Sequence, residues 1–189
     1  MKLKKSLFKK DGKDSPLSTL LYIFLGFALA IAANYFIGYL LDTETPVVAV
    51  FSNSMNHNLD NVCGRGSQGK TVQDYWKVCG DWYKNNGIPE EQFYNFDFID
   101  GFEKGDMMLV SGRNNILIGD VIVYRRSNAA FPIIHRVVDI NSEGYMTKGD
   151  NNASPDPGRT SRNEVYGEAV LKIPLLGWVR IIFSSLTGR

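Results

Sequence analysis

The first pattern along the chain is a gap in charge. From Pro16 to Leu41 no charged residue occurs and apolar side chains dominate. A helix through that stretch, rising about 1.5 Å per residue, exceeds the roughly 30 Å hydrocarbon core of a bilayer, so a transmembrane helix is predicted over residues 16–41. The run is also longer than the roughly 7 to 15 apolar residues of a cleavable signal peptide, which predicts a retained anchor. Beyond it the pattern changes to short runs rich in β-branched residues: PVVAVF (46–51), DMMLV (106–110), LIGDVIVY (117–124), FPIIHRVVDI (131–140), GYMTK (144–148) and EVYGEAVLKI (164–173). Gly, Asn and Asp clusters separate them. A mostly β body is predicted, an antiparallel β-barrel-like or folded sheet.

One region breaks that pattern. Val72, Tyr75, Trp76, Cys79, Trp82 and Tyr83 recur at i, i+3, i+4, i+7, i+10 and i+11, a helical stripe that Asn86-Gly87 ends. Pro89-Glu90-Glu91 resembles a second helix start, with proline suited to the first turn and acids to the positive dipole end. Residues 56–104 therefore read as a small helical insertion on the β body, its aromatic stripe packed inward. The closing LKIPLLGWVRIIFSSLTGR is too short to span a bilayer and is expected to be a final strand with an interfacial Trp178.

Charge adds direction. The formal net charge is only +1, which argues against nucleic acid as a main partner. Lys2, Lys4, Lys5, Lys9, Lys10 and Lys13 precede the apolar run, whereas Asp42 and Glu44 follow it. The positive-inside rule then gives a cytoplasmic basic segment over 1–15 and an extracytoplasmic, β-rich domain over 42–189. Tyr22, Tyr35 and Tyr39 are candidates for interfacial anchoring. Cys63 and Cys79 fall in the compartment where disulfides persist, and a bridge between them would contribute on the order of 3 kcal/mol; two buried thiols are the alternative. No short-spaced Cys or His set suggests a metal site.

The chemistry-bearing residues are a serine, a histidine and aspartates. Ser54 ends an extended run, and the short connection to Leu41 keeps it within roughly 43 Å of the membrane exit. In an extended chain Ser52 and Ser54 point the same way, so the Ser52 hydroxyl and the Ser54 amide can both face the oxygen of a carbonyl attacked by Ser54. His135 sits in a predicted strand, sharing a face with Ile133, Val137 and Asp139. Asp139 is a poor partner for it, because four residues along a strand span about 13 Å. The turn carrying Asp150 and Asp156 is the better source of a carboxylate. His57 lies in polar sequence and is expected to face solvent. Lys148 is an alternative base if buried, since desolvation lowers a lysine pKa.

The ordered segments resemble a known family. PVVAVFSNSM is similar to the serine box of type I signal peptidases, IIHRVV to the box holding the general base, and TKGDNNASPD to the acidic box. GDMMLV, GDVIVY and YGEAVLKIPLLGW match further recurrent segments in the right order. Histidine at the base position points to the archaeal and endoplasmic-reticulum branch. Asn53 replaces the glycine usual between the serines, and Asn56-His57-Asn58 stands where an acid and a proline are common.

The resemblance implies a membrane-anchored serine endopeptidase that removes signal peptides from secreted preproteins after small residues. It assigns Ser54 as nucleophile, His135 as general base, Asp156 as the carboxylate orienting it, Asp150 as a supporting residue, and Ser52 with Ser54 as the oxyanion hole. Its implied partners are signal-peptide-bearing preproteins, the lipid bilayer and the protein export channel, with no cofactor. The alternative is a catalytically inactive, membrane-anchored β-domain acting as a partner-binding subunit.

Overall fold

A computed structural model describes residues 9–10, 13–58, 60–66, 71–112, 115–127 and 129–187. The basic segment read over 1–15 lies largely outside them. The chain divides into two units, Met1–Leu40 and Leu41–Arg189.

In the first unit, α1 runs from Pro16 to Leu40, 25 residues. Pro16 takes the first helical position, where its missing N–H is not needed, and the Ser15 hydroxyl accepts from the Ser18 N–H at 3.3 Å. No charged side chain lies within it, and its large apolar residues are exposed all round, as suits a helix that meets hydrocarbon rather than a protein core. Among the described residues it is the one helix long and apolar enough to cross a membrane.

The second unit is built on six antiparallel strands: β1 (Val47–Ala49), β2 (Met107–Ser111), β3 (Val121–Tyr124), β4 (Ile133–Asn141), β5 (Gly144–Lys148) and β6 (Val165–Ile173). Their order in the sheet is β1-β2-β6-β3-β4-β5, so the sheet is open, with β1 and β5 at its edges, rather than a closed barrel. Val48, Met108, Val110, Val121, Val123, Ile134 and Ala169 pack one core. The register that matters for the site pairs Ile122 with His135 and Val137 with Thr147.

The insertion contains α2 (Val72–Asn85), a short helix α3 (Glu90–Phe93) and a two-residue ladder pairing Asn61–Val62 with Arg65–Gly66. Thr71 caps α2, its hydroxyl accepting from the Asp74 N–H at 3.2 Å, and Asp74 and Lys84 complement the helix dipole at opposite ends. Tyr75, Trp76, Cys79 and Tyr83 turn inward onto Val62, Ile88, Phe93 and Val138 of β4, so the aromatic stripe is core. Cys63 and Cys79 form a disulfide.

The C-terminal segment departs from expectation. It is a helix, α4 (Trp178–Thr187), not a strand. After β6, Leu175 takes a left-handed conformation (φ 64°) and Gly177 packs against the Asp106 carbonyl, turning the chain. Val179, Ile182, Phe183 and Leu186 then follow at i, i+3, i+4 and i+7, a helical period.

Candidate active site

Ser54 sits in a turn that several backbone bonds fix. Beyond β1, the Val50 N–H donates to the Asp106 carbonyl (2.9 Å) and the Gly105 N–H to the Val50 carbonyl (3.0 Å). The Asn56 N–H closes the turn on the Asn53 carbonyl (3.0 Å), and the Phe102 N–H holds the Met55 carbonyl (3.0 Å). Asn53, the residue standing in place of glycine, adds a tether: its side-chain oxygen accepts from the Lys104 N–H at 3.0 Å. The Ser54 carbonyl accepts from the Asn151 N–H at 2.7 Å, which ties the turn to the acidic loop. Ser52 Oγ lies 3.1 Å from Ser54 Oγ.

His135 projects from the middle of β4 and is 7% exposed. Its Nε2 is 2.9 Å from Ser54 Oγ, and its Nδ1 is 2.6 Å from Asp156 Oδ2. Asp156 comes from the loop after β5 and is placed by its own N–H, which donates to the Thr147 carbonyl at 2.8 Å. The same Oδ2 accepts from the Thr147 hydroxyl (2.7 Å) and the Tyr124 hydroxyl (2.9 Å). Burial opposes ionisation of Asp156, but the bonds from His135, Thr147 and Tyr124 outweigh it and hold the carboxyl below its ordinary range. An ionised Asp156 can only accept, so a neutral His135 carries its proton on Nδ1 and leaves the Nε2 lone pair toward Ser54.

Asp150 is elsewhere, fully buried beneath this series. Its carboxylate accepts from Arg136 Nε (3.0 and 3.2 Å) and Nη2 (2.7 Å), from the Tyr83 hydroxyl (2.9 Å) and from His57 Nε2 (3.0 Å). Burial raises its pKa, yet the Arg136 charge outweighs that and holds the carboxyl far below the usual range. Burial likewise pushes the Tyr75 and Tyr83 hydroxyls well up, so both stay protonated donors. His57 is therefore not solvent-facing: it is 3% exposed and stacked on Tyr75, ring centroids 3.8 Å apart. Its polar neighbours misled the sequence reading, because a buried carboxylate from a distant loop supplies the partner that allows burial.

Lys148 is fully buried, and burial lowers its pKa to about 8. Its Nζ donates to the carbonyls of Gly149 and Asp150 (3.1 Å each) and lies over the rings of Trp82 and Tyr83, with no bond to Ser54 among the described residues. Asp139 pairs instead with Arg159. Thus Ser54, His135, Asp156 and Ser52 are brought together, while Asp150 and Lys148 brace the loop beside them.

A cleft of about 350 Å³ opens beside Ser54 and His135, walled by Val50, Phe102, Ile133 and the stacked pair Phe51 and Phe131. The sequence reading missed Tyr124, Thr147, Arg136 and the two tyrosines of α2. Tyr124 was within reach: it sits two residues beyond Ile122, the register partner of His135, and so on the same face.

A hydroxyl, an imidazole and a carboxylate bonded in that order are the three groups that nucleophilic acyl transfer uses. The particular resemblance follows from known proteins. Over 98 residues the chain is 34% identical to the signal peptidase complex catalytic subunit of Verticillium alfalfae, a region that is 44% of this chain and 57% of that relative. The corresponding subunits of Neurospora crassa and Zygosaccharomyces rouxii are 32% and 34% identical, again over 44% of this chain, and over 57% and 59% of the relatives. These relatives show the similarity to type I signal peptidases of the endoplasmic-reticulum branch. The chain spans less than three fifths of the length of the curated relatives it matches. No family model matches it.

Proposed function

We propose that this chain is a membrane-bound serine endopeptidase that cleaves signal peptides from secreted preproteins after small residues. The observation that carries the reading is the bonded series Ser54, His135, Asp156 at 2.9 and 2.6 Å beside an apolar cleft. Substrate class is supported by the relatives, whose names are those of signal peptidase catalytic subunits.

In this reading the Ser54 hydroxyl attacks the scissile carbonyl as His135 Nε2 takes its proton. Asp156 fixes the imidazole by its Nδ1–H and stabilises the imidazolium that forms. The negative oxygen of the tetrahedral intermediate is received by the Ser54 N–H and the Ser52 hydroxyl. His135 then returns the proton to the leaving amine, a signal-peptide acyl group remains on Ser54, and water attacks it with His135 again as base. The 25 residues of α1, roughly 38 Å as a helix, span the bilayer with the basic segment in the cytoplasm and Leu41 onward outside. A preprotein whose own apolar segment lies in the same bilayer then meets the site by co-location rather than by tight binding.

The test is to incubate the detergent-solubilised full chain with a preprotein and sequence the new N-terminus. Cleavage after a small residue is expected, with none from Ser54→Ala or His135→Ala proteins that still insert. Full processing by Ser54→Ala would defeat the reading.

A further inference from the structure

The bonded series does not involve His57, the disulfide or α2, yet all three converge on the backbone of Ser54. Asn151 is the junction. Its N–H donates to the Ser54 carbonyl at 2.7 Å, and its own carbonyl accepts from the Cys63 N–H at 3.1 Å. Cys63 is bonded to Cys79 in the middle of α2, so a covalent and hydrogen-bonded path runs from that helix to the serine turn. A second path runs through Asp150, the residue before the junction. Its carboxylate takes bonds from His57 (3.0 Å) and Tyr83 (2.9 Å), and its carbonyl takes one from the Tyr75 hydroxyl (2.9 Å).

His57 is the informative member. Its Nε2 bonds Asp150, whereas its Nδ1 is buried without a hydrogen-bond partner among the described residues. Burying an imidazole with one nitrogen unpaired is unfavourable, so a side chain kept for packing alone would be better replaced by an apolar ring. What the imidazole supplies and an apolar ring does not is the directed N–H toward Asp150, on a ring seated flat on Tyr75.

We propose that the 56–104 insertion is a positioning element for the nucleophile, with His57 as its key positioning residue: through Asp150 and Asn151 it sets where the Ser54 backbone lies. The inference rests on the peptidase reading for its kinetic arm only. His57→Phe retains a ring to stack on Tyr75 and loses the N–H; His57→Gln replaces the ring but can place an amide N–H near the same spot. In full-length protein, with the concentration of active sites set by titration with a serine-acylating reagent, His57→Phe should lower kcat tenfold or more, because misplacing a reacting group by about 1 Å costs on the order of 10²-fold. KM should stay within about twofold, and His57→Gln should recover most of the loss. Removing the disulfide by the paired changes Cys63→Ser and Cys79→Ser should lower kcat in the same way.

A second measurement stands apart from catalysis. Amide hydrogen exchange in a peptide covering residues 149–152 should quicken in His57→Phe and return toward the parent rate in His57→Gln. Were the parent protein inactive on every preprotein while this exchange pattern held, the peptidase reading would fall and the brace would stand. An active His57→Phe with the parent kcat, or unchanged exchange at 149–152, would overturn the brace itself. So would a larger loss in His57→Gln than in His57→Phe, which marks a role in packing alone.

Discussion

Gly149 brings the acidic loop against the bonded pair, and a methyl group there tests that approach. A Cβ built on Gly149 would lie 2.7 Å from Asn152 Nδ2, 2.8 Å from His135 Nε2 and 2.9 Å from the Ser54 carbonyl oxygen. Ordinary contacts of this kind need about 3.5 Å, so something must move by roughly half an ångström or more. Asn152 can swing its side chain aside. The other two cannot move freely: Asp156 pins His135 at 2.6 Å, and the Asn151 N–H pins the Ser54 carbonyl at 2.7 Å. The 2.9 Å bond between His135 and Ser54 is therefore the bond that opens. For Gly149→Ala, overpacking of this sort should cost about 1 to 3 kcal/mol of stability, and the lost alignment about 10²-fold in kcat. Thermal unfolding by circular dichroism and preprotein cleavage at saturating substrate measure the two. Unchanged kcat in a protein of unchanged melting temperature would refute the claim that this loop approaches the pair so closely.

The remaining predictions concern the charged groups. Asp156→Asn should fold normally but lose on the order of 10⁴ in kcat, since an amide can present its N–H to His135 and reverse the tautomer. Asp150→Ala should instead lose the fold, by about 3 to 5 kcal/mol, because it strands the buried Arg136; equal melting temperatures for these two variants would contradict the separate roles drawn for them. Both carboxyls have folded pKa values below the unfolded value, so the stability they contribute is present above about pH 4 and is lost as pH falls through the lower folded values. Melting temperature followed from pH 5 to pH 2 should fall less steeply in Asp156→Asn than in the parent. Lys148 adds a second window of the same sense in alkali. Its folded pKa of about 8 lies below the unfolded value near 10.4, so the unfolded chain holds the extra proton between them and stability rises with pH across that window. The gain, on the order of 3 kcal/mol, should vanish in Lys148→Met, and a parent protein no steadier at pH 10 than at pH 8 relative to that variant would count against the buried cation.

What could be read in advance followed from local periodicity. GYMTK as a strand, the i, i+3, i+4 stripe of α2 with its Asn86-Gly87 end, and the face that His135 shares with Val137 each depend on neighbours within a few positions, and the structure has them so. The last helix shows the limit of reading by composition. Val179, Ile182, Phe183 and Leu186 have a helical period, and Pro174 and Gly177 are a natural break between elements; excluding a membrane span by length leaves strand and short helix both open, and the structure has the helix.

Burial of polar residues was hidden for a different reason. His57 and Arg136 are surface residues by type, and each is buried because Asp150 reaches it from another segment, an event with no trace in either local pattern. The order of the two aspartates follows from the same topology. Thr147 lies opposite Val137 on the neighbouring strand, and its carbonyl takes the Asp156 N–H, so the loop after β5 must fold back over the face His135 presents; that return brings Asp156 to the imidazole. Asp150, nearer the strand end, meets the arginine of the adjacent position, whose side chain points to the opposite face. Adjacent residues His135 and Arg136 thus divide two carboxylates between the two faces of one strand. One carboxylate is kept for the reacting imidazole, and the other, neutralised by a guanidinium, anchors the loop that both must share.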